Sequence, residues 1–303
     1  MSAQLANNSL SLHIANAQST DDLMSDVDRL IRETIAYSCQ QVTDQDNIYL
    51  TAANYHLAAK SHKIRARLAL SAGVALGVHQ QDVVIIAATC ELLHNASLIH
   101  DDIQDGDTVR RNVEAVWKKF GINVALCTGD VLLSAAYGVL SNFSDATLIQ
   151  RLIATIHQRT SMVIQGQCAD ITLKNQHLCT VSAYQKIAIS KSGALLSLPI
   201  ELALIASHHT ESLSHARAAT ESFAIAYQIA DDLCDIDKDT QSHSLNVISV
   251  LKACGETKKP IQVAQNLAIR HLDEATDLAI KLPKKSGALL IELALQLKQK
   301  LNS

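Results

Sequence analysis

Two apolar stretches far apart in the chain, Cys90–Arg111 (CELLHNASLIHDDIQDGDTVRR) and Ala224–Asp235 (AIAYQIADDLCD), end in the same DDxxD cluster. In a helix the first and last aspartates of each cluster are four residues apart and share a face. Two unit charges about 4 Å apart repel by roughly 4 kcal/mol at an effective dielectric of about 20. A chain that carries two such clusters therefore has to supply compensating charge. Mg²⁺ is suited to the task, since it takes one or two carboxylates and completes its shell with water and phosphate oxygens. A single DDxxD is usually a solvated helix end. Two copies, each behind an apolar helical run and one followed by Arg110 and Arg111, point to two metal-binding walls facing a phosphorylated ligand.

The rest of the composition favours helices to carry those walls. Three prolines and ten glycines occur in 303 residues, aromatics are 3%, and Ala and Leu are abundant. With 48% hydrophobic and 18% charged residues, a large core is expected in an all-α, single domain over residues 20–303, after a polar, flexible segment 1–19. A net charge of −4 without a basic face gives no reason to expect nucleic-acid binding. Seven cysteines without CxxC spacing fit small core residues of a reducing compartment. The N-terminus has no signal-peptide pattern. The most apolar run, Gly193–Ser207, includes Pro199 and Glu201 and is too short for a transmembrane segment, so a soluble, cytoplasmic protein is expected.

Helices are expected over 20–41, 48–59, 60–77, 81–102, 119–141, 145–167, 184–206, 211–235, 244–254, 260–281 and 286–301. Lys60, His62, Lys63, Arg65 and Arg67 crowd the start of the third. They are either a solvated basic helix end or a diphosphate site aided by the helix dipole. His94 stands two turns before Asp101 on about the same face. Lys191-Ser192-Gly193 interrupts a long apolar helix, awkward in a dry core and better suited to a kink lining an anion-filled cavity.

With these residues in place, the sequence from about 55 to 300 resembles the trans-isoprenyl diphosphate synthases (the polyprenyl synthetase family). The resemblance implies an isoprenoid-synthase-type helical bundle around a central cavity, usually a homodimer. Its implied activity is head-to-tail joining of isopentenyl diphosphate to an allylic diphosphate with Mg²⁺. By motif, Asp101, Asp102 and Asp105 would hold metal on the allylic diphosphate, with Asp231, Asp232 and Asp235 on the opposite wall. Arg110 matches an allylic diphosphate ligand, and Arg111 and His94 match isopentenyl diphosphate ligands. Lys191, Ser192 and Gln228 match residues near the allylic group, where Lys191 and Gln228 would shield and steer the reacting centre.

Three loops depart from the family pattern. The GGKRxRP motif is here Lys60-Ser61-His62-Lys63-Ile64-Arg65-Ala66, with His62 in place of a lysine and Arg65 retained. The glycine usual after the arginine pair is Asn112, and the loop after the second cluster, Lys238–Ser244, is short. Five residues before Asp101 the side chain is Ala96, where short-chain members commonly carry a large aromatic, so a product longer than C15 is expected. The alternatives are a non-catalytic partner subunit of a prenyl synthase, which the weakened basic loop favours, and a class I terpene cyclase, which the second intact DDxxD disfavours.

Overall fold

The computed structural model describes residues 20–39, 47–173, 180–236 and 245–302. The segment 1–19 and the connection Lys238–Ser244 lie outside them. The described elements are α1 (Thr20–Cys39), α2 (Ile48–Ala58), α3 (Ile64–Leu76), α4 (Gln80–Asp105), a hairpin of β1 (Val109–Arg110) and β2 (Val113–Glu114), α5 (Val116–Phe120), α6 (Ile122–Gly138), α7 (Ala146–Leu173), α8 (Val181–Ala188), α9 (Ala194–Ala206), α10 (Leu213–Cys234), α11 (Val247–Ala253), α12 (Pro260–Ala279) and α13 (Ala288–Asn302). The fold is an all-α bundle, as composition implied.

Helix ends follow local chemistry. The side chains of Asn47, Thr180 and Asn246 cap α2, α8 and α11 by accepting from Leu50, Ala183 and Ile248 backbone N–H groups. Pro260 opens α12, where its missing N–H costs nothing. The hairpin has no periodic signature in the sequence, because its strands are only two residues long.

Apolar burial organises the bundle in two clusters. One gathers α1, α2, α3, α4 and α6 with one face each of α7 and α9. The other packs α10, α12 and α13 against α9. Every residue of α4 from Asp82 to Leu93 is buried, as is every residue of α9 up to Ile205. Helices apolar all round belong in an interior, and each fully buried Leu or Ile contributes about 1.5–3 kcal/mol. α4 and α6 approach so closely at Gly129 that a Cβ there would lie 2.2 Å from His100 Nε2.

Three helical segments, Gln80–Asp105, Ile122–Asn142 and Val181–Ala206, are by length and composition apolar enough to cross a membrane. The first and third are mostly buried within the bundle. The run Gly193–Ser207, too short by itself, is thus the lower part of a longer helical segment.

One buried charge cluster ties α7, α9 and α10 together. The fully buried Glu201 carboxylate accepts from Arg159 at 3.0 Å, Arg217 at 2.6 Å and Ser197 at 2.7 Å. Removing one partner of such a cluster strands the others in low dielectric, at a cost of about 3–5 kcal/mol. Glu201→Ala should therefore lower the unfolding free energy by about that much, read from the urea midpoint at unchanged slope.

Candidate active site

Both aspartate clusters sit in the last turns of their helices, α4 and α10. The C-terminal end of a helix carries partial negative charge, so each cluster occupies the less favourable end. On α4 the helix runs on through Asp105 before Gly106 ends it with φ 71°, which puts all three aspartates on one regular helix. Burial pushes the Asp101 carboxyl up to about 6, with Asp105 and Asp102 adding to the shift and Lys191 and Arg110 opposing it.

The clusters divide into inward anchors and outward carboxylates. Asp102 is buried and accepts from Arg110 Nε at 2.7 Å, with a second contact from the same guanidinium. Asp232 is buried too, and its oxygens accept from Tyr184 Oη at 2.8 Å, Gln228 Nε2 at 2.8 Å and the Val247 amide at 2.7 Å. Of the six aspartates expected to form the metal set, Asp232 serves three donors and Asp102 is salt-bridged to Arg110 inside the fold. Of the other four, Asp105 and Asp231 are exposed and Asp101 and Asp235 half-buried. Asp235 lies just beyond α10, not within it.

The expected break at Lys191 is a π-helical turn, Ile189–Gly193, between α8 and α9. Such wide turns are common at functional sites. α7 approaches this turn at Gly166, where a Cβ would lie 2.8 Å from the Lys191 backbone nitrogen. Lys191 Nζ pairs with Asp170 at 2.8 Å and lies 3.9 Å from Asp105. Burial would lower its pKa, but Asp170, with Asp105 and Asp101, outweighs that and keeps the ammonium charged. One continuous segment therefore reaches both walls, through Tyr184 on Asp232 and Lys191 on Asp105. Gln228, on α10, donates its amide N–H to Asp232, which leaves the amide oxygen to face elsewhere. Ser192 is half-buried beside Lys191.

A cationic group lies next to the first wall. Arg110 and Arg111 are delivered by the hairpin, in which Arg110 pairs with Val113 and the two-residue turn is Arg111-Asn112. Both turn residues have positive φ, 53° and 65°. A two-residue hairpin turn of this hand needs such a conformation, and Asn tolerates it, so Asn112 serves where a glycine was expected. Arg111 reaches the Asn95 oxygen at 3.4 Å, which also meets the buried His56 Nε2 at 3.1 Å. His94 is held well below its usual pKa by burial, then by Arg65 and Arg111, so it stands neutral among arginines. Arg65 is enclosed between Glu91, Tyr227 and Arg111, with its Nε buried and unpaired among the described residues. Lys63, with φ 46° at the start of α3, turns to Asp28 on α1, 2.6 Å from Oδ2. His62, expected to replace a substrate-binding lysine, is exposed.

The donor set is oxygen only, which suits a hard divalent cation such as Mg²⁺. Among the described residues no three His, Cys, Asp or Glu side chains converge tightly enough to hold an ion alone. Two walls of one or two carboxylates each fit a cation whose remaining ligands are phosphate oxygens and water.

Comparison with known proteins decides the family. A family model described as polyprenyl synthetase matches residues 46–249. The chain belongs to the polyprenyl synthetase family. Membership makes it an enzyme of the trans-prenyltransferase class. It is 28% identical over 222 residues to a short chain isoprenyl diphosphate synthase of Methanothermobacter thermautotrophicus, covering 73% of this chain and 68% of that one. It is 32% identical over 198 residues to a geranylgeranyl diphosphate synthase of Mycobacterium tuberculosis, covering 61% and 57%. In fold it resembles a decaprenyl diphosphate synthase from Rhodobacter capsulatus, at a TM-score of 0.82 and 19% identity over 93% and 97% of the two chains.

Some participants carry no sequence signal. Asp170 and Tyr184 stand in ordinary helical contexts and become functional only through the residues they meet. His56 lies in a short apolar helix, where a histidine has no spacing to mark it. Burial, and next Arg111, lower its pKa from 6.5 to about 4. The unfolded chain therefore takes up a proton near pH 6.5 while the folded one resists it. His56 costs nothing above that pH, and folding stability falls as the pH drops toward 4. Relative to His56→Gln, the wild type should lose about 3 kcal/mol between pH 7 and 4, measured by urea unfolding at each pH.

Proposed function

We propose that this polyprenyl synthetase joins isopentenyl diphosphate to an allylic diphosphate in an Mg²⁺-dependent head-to-tail condensation, yielding a product longer than C15. The observation that carries the reading is the pairing of two outward aspartate walls with a lysine against the first of them and an adjacent arginine–histidine group.

Asp101 and Asp105 on the first wall, with Asp231 and Asp235 on the second, would hold Mg²⁺. Bound there, the metal would neutralise the allylic diphosphate and assist its departure. Asp102 and Asp232 position the walls. Asp102 also orients Arg110, which together with Lys191 binds the allylic diphosphate. Arg65, His94 and Arg111 bind isopentenyl diphosphate. As the allylic C–O bond breaks, positive charge grows on carbon, and the Gln228 amide oxygen faces it with Ser192 close by. The isopentenyl double bond attacks, and the proton lost from the adjacent carbon goes to the released diphosphate. No side-chain base is required.

Ala96 and Ser97 below Asp101 are both small, which supports the longer product. A homodimer is part of the proposal. Ile153, Ile164 and Ile171 recur on one stripe of α7, Ile122 and Leu126 on α6, and all five are exposed. Two helices offering such apolar stripes suit a self-complementary interface. We place the active dimer in the cytoplasm.

Purified protein given Mg²⁺, labelled isopentenyl diphosphate and C5, C10 or C15 primers should elongate them to products beyond C15 after dephosphorylation. Chelation should abolish turnover, and Asp101→Ala should reduce it by about a hundredfold or more. Products confined to C10 or C15 would refute the length assignment, and no product with any primer would favour a partner subunit. Leu126→Asp combined with Ile164→Asp should convert the dimer to a monomer in light scattering, whereas an unchanged mass would reject this interface.

A further inference from the structure

The basic loop before α3 offers less to an anion than its sequence suggests. Lys60 and His62 are exposed, and Lys63 is bound to Asp28. Yet beside the loop there is a cavity lined by Asp28 and Arg32 from α1, Lys63, Glu91 and Asn95 from α4, and Arg111 from the hairpin. Asp28 and Arg32 are four residues apart on one helix, the spacing at which an aspartate and an arginine ordinarily pair. Here Asp28 spends its carboxylate on Lys63, and Arg32 forms no ion pair among the described residues. Arg32 is thus an exposed guanidinium that has no ion pair among the described residues and lines the same cavity as Arg111.

We propose that Arg32 is a binding residue of the isopentenyl diphosphate subsite, supplying from α1 the cation that the altered loop lacks, and that Asp28 attenuates this subsite. The assignment rests on the function proposed above. Two guanidiniums lining one cavity can each meet a phosphate group through paired N–H donors. Lys63 in the same lining gives a third positive charge, and Asn95 a neutral amide. Against these three cations stand the carboxylates of Asp28 and Glu91. Neutralising Asp28 both frees Lys63 and removes a repulsive charge, so the subsite should strengthen.

The test combines kinetics with a binding measurement that needs no turnover. Arg32→Ala should raise KM for isopentenyl diphosphate about tenfold or more with KM for the allylic primer unchanged, Arg32→Lys should recover part of the loss, and Asp28→Asn should lower the same KM about threefold. Inorganic diphosphate is then titrated calorimetrically into each protein in chelator, so that without metal the aspartate walls repel it. The wild type should bind, Arg32→Ala at least about tenfold more weakly, and Asp28→Asn more tightly. If the enzyme makes no product but this order of affinities holds, the catalytic reading fails while the anion site stands. Equal affinity of wild type and Arg32→Ala, no binding by wild type, or an equal rise in both KM values overturns the role of Arg32. An unchanged affinity in Asp28→Asn overturns the attenuation.

Discussion

Like charge held at the negative ends of two helices is the condition on which the remaining arrangement depends. α4 and α10 each finish in a DDxxD cluster, where the helix dipole adds to the mutual repulsion of the carboxylates. The fold relieves part of this with its own groups. One aspartate of each cluster is turned inward, Asp102 to a guanidinium and Asp232 to a hydroxyl, a side-chain amide and a backbone amide. Lys191 meets part of the outward charge at Asp105, and the negative charge that remains on the two walls is what a divalent cation is suited to meet. Anchoring and binding are therefore divided between neighbouring residues of the same motif.

The segment from α8 into α9 makes the two walls one site. Tyr184 fixes it to the second wall and Lys191 to the first, and the π-helical turn between them sets where the lysine emerges. That turn is seated against α7 by the absence of a side chain at Gly166, and Asp170 from the same helix holds the ammonium charged despite its burial. A displacement of α7 would move Lys191, so bundle packing controls the site's central cation.

Cations on the other side of the first wall come from three separate places: Arg65 from α3, Arg110 and Arg111 from the hairpin, and Arg32 from α1. The hairpin turn needs left-handed backbone at Arg111 and Asn112, which fixes the direction of both arginines before any ligand arrives. The left-handed residue at the head of α3, Lys63, has the opposite consequence, since it leads the loop's lysine away to Asp28. A helix N-terminal to the motif region thereby acquires a part in ligand binding.

The all-helical class, most helix boundaries, the two aspartate clusters and the break at Lys191 are legible in the chain because each is written in local pattern: apolar periodicity, scarce proline and glycine, and motif spacing. Sequence also places Asp101 and Asp105 on one helical face, since four residues are close to one turn. It does not separate Asp102 and Asp232 from their neighbours, for the difference lies in what Arg110, Tyr184 and Val247 bring from elsewhere. Nor does it assign Asp170 to Lys191, Lys63 to Asp28 or Arg32 to the cavity of Arg111, because each pairing joins residues on different elements. The sequence by itself determined the elements and the chemistry they carry. Which carboxylates face outward and which cations face the ligand was decided only by tertiary packing, because burial and partner charge are properties of the assembled bundle.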